Sequence, residues 1–167
     1  MSKTLIVYYS YTNGNTKRIA EMIQEKIGAD IIRIDTAKPY EGTYRQISDQ
    51  GKRECETGFM PDITPSNIDI SPYDTVIVGT PTWWYTMAPA VLTFMRNTNF
   101  SGKTVIPFMT NGGWRGKVIE NMTKEANGAI VKLPFEIKFD SDGGDILETP
   151  MDEIEKWIDD ITTEVTK

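Results

Sequence analysis

The sequence predicts an α/β fold: a three-layer, doubly wound sandwich around a five-stranded parallel sheet. Segments typical of strands alternate with segments typical of helices, which is the pattern of an α/β protein with a parallel sheet. Helices between the strands are expected to cover both faces of that sheet. A chain of 167 residues is long enough to bury a substantial core, and we expect one domain over residues 1–167.

The predicted strands are short apolar or alternating runs. In order, they cover residues 4–9, 30–35, 74–79, 103–110 and 129–139. The second run is more polar than the first, which favours a position at the edge of the sheet. Pro107 and Pro134 lie inside the fourth and fifth runs, and a proline removes one donor from the ladder. Pro134 is the expected place for a break in the fifth strand.

The predicted helices carry their apolar residues on one face. They cover residues 17–27, 44–56, 87–97, 116–126 and a final segment from residue 150. Gly28 is expected to end the first helix, because glycine accepts the left-handed conformation common just after a helix. For the last helix, we expect Thr149 as the capping residue and Pro150 as the first helical residue.

The loop between the first strand and the first helix is the most informative segment. It consists of Ser10, Tyr11, Thr12, Asn13, Gly14, Asn15 and Thr16. Hydroxyl and amide donors are dense here, and the free N–H groups and dipole of a helix N-terminus favour an anion. The pattern favours a phosphate site. An ordinary strand-to-helix turn with an Asn or Thr cap is the alternative.

The spacing within this loop excludes two common phosphate motifs. It has neither the G-x-x-x-x-G-K-[ST] of nucleoside-triphosphate loops nor the G-x-G-x-x-G of dinucleotide sites. It resembles instead the flavodoxin loop S/T-x-T-G-N-T, with Asn13 as one extra residue between Thr12 and Gly14. The resemblance spans about residues 4 to 165. It implies the strand order 2-1-3-4-5 and flavin mononucleotide (FMN) as the cofactor.

Two further loops should join this site, because ligands of doubly wound sheets bind at the carboxyl ends of the strands. After the third strand come Pro81, Thr82, Trp83, Trp84 and Tyr85. The Thr82-Trp83 step resembles the one by which flavodoxins lay an indole against the flavin ring, so Trp83 is the first candidate for a ring contact. Trp84 and Tyr85 are expected either at the ring, in the core or on a partner surface.

The loop after the fourth strand contains Thr110, Asn111, Gly112, Gly113 and Trp114. Its two glycines allow backbone N–H groups to approach a ligand closely. In flavodoxins, the equivalent loop hydrogen-bonds the polar edge of the flavin, and the resemblance implies that role here, with Trp114 beside the ring. A cation at Arg115 near that edge would stabilise a reduced, anionic flavin. A glycine-rich turn without a ligand is the alternative.

Composition excludes several function classes. The 24 acidic and 18 basic residues give a net charge of −6, which argues against a nucleic-acid partner. The chain has no histidine, so a Ser-His-Asp triad and a histidine-based zinc site are excluded. Cys55 is the only cysteine, which suits a reducing cytoplasm. No run is long enough for a signal peptide or a membrane span. The acidic segment 140–145 fails the spacing of a calcium loop, so no metal site is expected.

The favoured function is electron transfer by a non-covalently bound FMN, without a catalytic side chain. Its partners would be a redox partner protein or a small-molecule electron acceptor, and the protein would be a monomer or a homodimer. One alternative is an NAD(P)H-dependent, FMN-containing reductase of quinones or azo compounds. A remote alternative is a receiver-like regulatory domain, which would need an acidic cluster where this chain has Tyr9, Ser10 and Tyr11.

Overall fold

The computed structural model describes residues 3–167, which form strand segments and helices in alternation. The strands are β1 (Thr4–Tyr8), β2 (Asp30–Arg33), β3 (Asp35–Thr36), β4 (Ile63–Thr64), β5 (Thr75–Trp83), β6 (Thr86–Met87), β7 (Thr104–Asn111), β8 (Ile130–Val131) and β9 (Phe135–Lys138). The helices are α1 (Asn15–Ile27), α2 (Tyr44–Thr57), α3 (Pro89–Arg96), α4 (Val118–Glu125) and α5 (Met151–Val165). All five predicted helices are present, with ends shifted by a few residues.

The main sheet has the strand order that the resemblance implied. Its parallel strands run β2-β1-β5-β7, and both β8 and β9 pair with β7 in parallel. The fifth predicted strand is therefore one edge strand broken in two, as Pro134 indicated. Leu133, just before that proline, has a φ of 50° and so leaves the extended conformation. The α/β class and the 2-1-3-4-5 order are both confirmed.

The core lies in two layers, one on each face of the sheet. Successive side chains of β1 enter opposite layers: Leu5 and Val7 pack in one, and Ile6 and Tyr8 in the other. The first layer lies under α3 and α4, and the second lies under α1 and α5. With the sheet between them, these helices give the predicted three layers. Along the described chain, no helix combines the length and apolar character needed to cross a bilayer.

The helix ends show which capping predictions hold. Gly28 follows α1 with a φ of 69°, as predicted. The prediction for the last helix was wrong in detail. Pro150 occupies the capping position of α5, and the hydroxyl of Thr149 accepts a hydrogen bond of 2.7 Å from the backbone N–H of Lys138. A tertiary hydrogen bond to β9 thus replaces the local cap.

Candidate functional site

The carboxyl ends of β1, β5 and β7 meet at one polar cleft. Its walls are formed by Ser10, Tyr11, Thr12, Asn13, Gly14, Asn15, Thr16, Pro81, Thr82, Thr110, Asn111, Gly112, Phe139, Asp140, Gly143 and Gly144. We call this the polar cleft. The structure brings together the whole first predicted loop and parts of the other two. It does so at the point where β1 and β5 lie side by side with their crossovers on opposite faces, the usual ligand position in this kind of sheet.

The first loop presents the start of α1 to the polar cleft. Gly14 adopts the left-handed conformation, with a φ of 73°, and the helix begins at the next residue. The hydroxyl of Ser10 accepts a hydrogen bond of 3.3 Å from the backbone N–H of Lys17, which ties the two ends of the loop together. The first N–H groups of a helix have no partner within it and can hold an anion.

Two buried threonine hydroxyls join the first loop to the end of β7. The Oγ1 atoms of Thr16 and Thr110 lie 2.9 Å apart, and either can be the donor. Both residues are buried, with exposures of 1% and 4%. Thr82 adds a second link, because its hydroxyl donates to the carbonyl oxygen of Thr110 at 3.0 Å. These two hydrogen bonds join the three loops around the polar cleft.

The groups that line the polar cleft are mostly neutral. Asp140 is the only acidic or basic residue among those that line it. Arg33 lies outside this lining, where it donates to the carbonyl oxygen of Ser10 at 2.8 Å and pairs with Asp35 at 3.4 Å. The donor set of hydroxyls, amides and a helix N-terminus fits a phosphate group without a lysine or arginine.

A fourth segment, residues 139–146, closes one side of the polar cleft and was not among the predicted site residues. The carboxylate of Asp140 accepts hydrogen bonds from the N–H groups of Gly144 at 3.1 Å and Ile146 at 2.9 Å, which folds the segment into a turn. Asn15 donates its side-chain amide to the carbonyl oxygen of Gly144, and Asn13 does the same to Gly143. The available signal was topological, since β9 ends at the same edge of the sheet as β1.

The loop after the third strand is a β-hairpin. Trp83 is the last residue of β5 and pairs with Thr86 of β6, so Trp84 and Tyr85 form a two-residue turn. Their φ values are 47° and 68°, which is the type I′ turn that suits the twist of a hairpin. Such positions usually carry glycine or asparagine, and for this reason the aromatic sequence did not indicate a turn.

Trp83 packs into a cluster of tyrosines on the β1 side of the hairpin. Its ring centroid lies 5.8 Å from that of Tyr9, 5.4 Å from Tyr11 and 5.2 Å from Tyr40. The pairs are tilted or edge-to-face, the arrangement that aromatic quadrupoles favour. The indole is partly buried and does not line the polar cleft. Its contact with a flavin ring stays a prediction.

Burial and a hydrogen bond change the pKa of Tyr40, one of the tyrosines beside Trp83. Tyr40 donates its hydroxyl to the carboxylate of Glu54 at 2.7 Å, and Gln50 donates to the other oxygen of that carboxylate, also at 2.7 Å. Burial first, and then the bond to Glu54, raise the pKa of Tyr40 well above its ordinary value. Burial likewise raises the pKa of Cys55 to about 12, with smaller contributions from Glu54 and Glu56. Cys55 therefore carries a protonated thiol at neutral pH, without the features of a reactive cysteine.

The rim of the site is aromatic and exposed. Trp84 is 40% exposed, Tyr85 57% and Trp114 61%. Trp84 is held by a bond of 3.0 Å from its indole N–H to the carbonyl oxygen of Ser48. Tyr85 is held through its backbone, because Lys117 donates to its carbonyl oxygen at 2.9 Å. Tyr85, Gly113 and Trp114 do not line the polar cleft, and their contact with a ligand stays a prediction.

The loop after the fourth strand is organised by Asn111. Its side-chain oxygen accepts from the N–H of Gly113 at 2.7 Å, and its amide donates to the carbonyl oxygen of Ile137 at 3.2 Å. The side chain therefore shapes its own loop. Arg115 lies 3.4 Å from Glu136 of β9, so its guanidinium is paired at the sheet edge.

Comparisons with known proteins agree with this architecture. The family model described as flavodoxin matches residues 3–161. A flavoprotein from Lactobacillus acidophilus, solved in complex with FMN, is 25% identical, with a TM-score of 0.72 over 94% of this chain and 99% of that one. A candidate flavoprotein from Bacteroides eggerthii is 28% identical, with a TM-score of 0.76 over 96% and 98% of the two chains.

A more distant structure shares the fold alone. The flavodoxin from Fusobacterium nucleatum, bound to FMN, is 16% identical, with a TM-score of 0.57 over 99% of both chains. No curated protein matches the sequence. Because the family model covers nearly the whole chain and the sheet has the expected strand order, this protein belongs to the flavodoxin family.

Proposed function

We propose that this protein binds FMN in the polar cleft and carries electrons between redox partners. The observation that carries the proposal is the polar cleft itself, where neutral donors and the start of α1 converge at the carboxyl ends of β1, β5 and β7. A flavin supplies the redox chemistry once bound, and the protein's contribution is binding, orientation and the choice of potential.

The residues of the first loop would hold the phosphate. Thr16 and Ser10 offer hydroxyls, and the N–H groups of the first turn of α1 offer backbone donors. Thr82, Thr110 and Asn111 continue the polar wall from the phosphate end toward the rim. The flavin ring would then lie between the hairpin at Trp83, Trp84 and Tyr85 and the loop from Asn111 to Trp114.

The rim suits exchange with a partner. Trp84, Tyr85 and Trp114 are exposed at the edge where the ring would end, and aromatic residues are enriched at protein interfaces. Electrons would pass to a redox partner protein or to a small acceptor at this edge. The single thiol suits a reducing compartment, and we propose the cytoplasm as the place of action.

The direct test is the visible absorption spectrum of freshly purified protein, followed by release and mass identification of the pigment. We expect a flavin spectrum and one FMN per chain, and apoprotein should take up added FMN in preference to riboflavin. A colourless protein that takes up no flavin would refute the proposal. Rapid oxidation of reduced nicotinamide with a quinone, in the absence of a partner reductase, would show a reductase instead of a carrier.

A further inference from the structure

A second cleft lies on the other side of the hairpin, between it and α2. It is lined by Tyr11, Thr12, Tyr44, Ile47, Ser48, Gly51, Thr82, Trp83 and Trp84, and we call it the aromatic cleft. Its volume of about 390 Å³ falls in the range of small-molecule sites. Tyr11, Thr12 and Thr82 line both clefts, so the two share a wall.

We propose that the aromatic cleft binds a second ligand, a flat, uncharged aromatic molecule, beside the flavin. The position beside a flavin rests on the proposed function, whereas the binding itself rests on the cleft. None of the residues that line this cleft is acidic or basic, and four of them are tyrosines or tryptophans: Tyr11, Tyr44, Trp83 and Trp84. A charged ligand would lose hydration there without gaining an ionic partner, whereas an aromatic ring would gain stacking partners.

Gly51 sets the width of the aromatic cleft. It lies in the interior of α2, where glycine is unfavourable relative to alanine, and it is buried. A Cβ atom at this position would lie 3.3 Å from Cε3 of Trp83 and 3.8 Å from Cδ1 of Trp84. The bare backbone lets α2 approach both indoles closely. The close contact with the indoles of Trp83 and Trp84 thus explains why α2 has a glycine at position 51.

The walls are fixed before any ligand arrives. The Trp84 indole donates to the carbonyl oxygen of Ser48, and the ammonium of Lys52 lies 5.4 Å from the centroid of the Trp84 ring. Trp83 is held by its three tyrosine neighbours. A ligand that enters a preformed site orders few side chains on binding, which favours affinity.

The mouth of the aromatic cleft carries apolar surface that the fold leaves in solvent. Tyr44 is 84% exposed, Trp84 40% and Tyr11 39%. Clustered exposed apolar surface next to a cavity is typical of a ligand-binding site. The hydroxyls of Thr12 and Ser48 are among the polar groups of this lining that could orient a carbonyl or hydroxyl of the ligand.

The test uses FMN-loaded protein and 2,3-dimethyl-1,4-naphthoquinone as the probe, with binding measured by calorimetry under air. Methyl groups block the two ring positions that a thiol could attack. Ser48→Trp fills the aromatic cleft, and Asp49→Trp is the matched control, because Asp49 is exposed on the same helix. We expect at least tenfold weaker quinone binding in Ser48→Trp, unchanged binding in Asp49→Trp, and equal FMN affinity in all three proteins.

Three outcomes would overturn the proposal. They are no quinone binding by the wild-type protein, equal quinone binding by Ser48→Trp, and a parallel loss of FMN and quinone in Ser48→Trp, which would make this the flavin's own site. Ile47→Ala, which removes a wall without adding bulk, gives a second measurement if Ser48→Trp folds poorly. A protein that binds no FMN refutes the proposed function instead, and quinone quenching of tryptophan fluorescence in that protein still tests the cleft.

Discussion

The side-chain amide of Asn15 donates a hydrogen bond of 3.0 Å to the carbonyl oxygen of Gly144, which lies 129 residues further along the chain. Asn13, the extra residue of the first loop, makes the same kind of bond to Gly143. Both amides were predicted as phosphate donors from the sequence. In the structure they attach the turn at residues 140–146 to the start of α1, so that this turn becomes a wall of the polar cleft.

We predict that Asn13→Ala loosens this turn. One neutral hydrogen bond contributes about 1 kcal/mol, so the amides of Gly144 and Ile146 should exchange with solvent about fivefold faster. Hydrogen exchange measured by NMR checks this, with the exposed Asn127→Ala as the control variant. Unchanged protection at both amides would show that Asn13 does not hold the turn.

Thr16→Val should distinguish the phosphate from the rest of the ligand. The variant keeps the shape of the side chain but removes a hydroxyl, and we expect FMN to bind about 1–3 kcal/mol more weakly while riboflavin is barely affected. Titration of apoprotein with each flavin gives both dissociation constants. Thr93→Val is the matched control, because Thr93 is equally buried but donates to Pro61, away from the polar cleft. Equal losses for the two flavins would contradict the role of Thr16.

Trp83→Leu should weaken FMN and riboflavin alike and shift the reduction potentials of the bound flavin. It also removes three aromatic contacts, so we expect the free energy of unfolding to fall by about 2–4 kcal/mol. Trp157→Leu is the control, since Trp157 is a buried indole stacked on Phe135 in the opposite core layer. If the potentials and flavin affinities of Trp83→Leu are unchanged, Trp83 only packs against its tyrosine neighbours and does not contact the flavin.

Alkaline pH should destabilise the protein. Burial raises the pKa values of Tyr9 and Tyr40 above the ordinary value of 10, and that of Cys55 from 9 to about 12. Each group stays protonated in the folded state at a pH where the unfolded chain has released its proton. The stability from each is complete below its unfolded pKa and is lost as the pH rises toward its folded pKa.

Urea denaturation between pH 8 and 11, followed by circular dichroism, checks this decline. Between pH 10 and 11, Tyr9 alone should lower the free energy of unfolding by about 1 kcal/mol. Tyr9→Phe should flatten the curve by that amount, because the variant has no hydroxyl to release a proton. Parallel curves for wild type and Tyr9→Phe would contradict the effect of burial on Tyr9.

The strands were predictable because their information is local: apolar runs between helical segments indicated them, and Pro134 indicated the break in the last one. Their order in the sheet was implied by the resemblance to flavodoxins and not by any local pattern. The link between Asn15 and Gly144 was not predictable, because the partner is a backbone carbonyl on a distant turn that no side-chain pattern indicates. The same is true of Thr149, which was predicted to cap the last helix from its position in the sequence. Its hydroxyl instead accepts a hydrogen bond from the backbone N–H of Lys138 on β9.

The β-hairpin of β5 and β6 was missed by the sequence analysis for a different reason. Trp84 and Tyr85 lie at φ values where side chains with a Cβ are disfavoured, so propensity argued against a turn at that point. Contacts from outside the hairpin over-determine it: Ser48 accepts from Trp84, and the bare backbone of Gly116 lies directly against Tyr85. Because sequence propensity describes a residue in its local segment, these distant supports were invisible to it.

That hairpin has a consequence for how the protein meets other molecules. A flexible aromatic loop loses conformational entropy each time it binds a partner, and this loss lowers the affinity of the complex. Here the turn loses that freedom during folding, because the Trp84 indole donates to the carbonyl oxygen of Ser48 and the backbone carbonyl of Tyr85 accepts from the N–H of Lys117. Under the proposed function, a short-lived encounter that passes an electron could then begin and end quickly, because this turn need not become ordered beforehand.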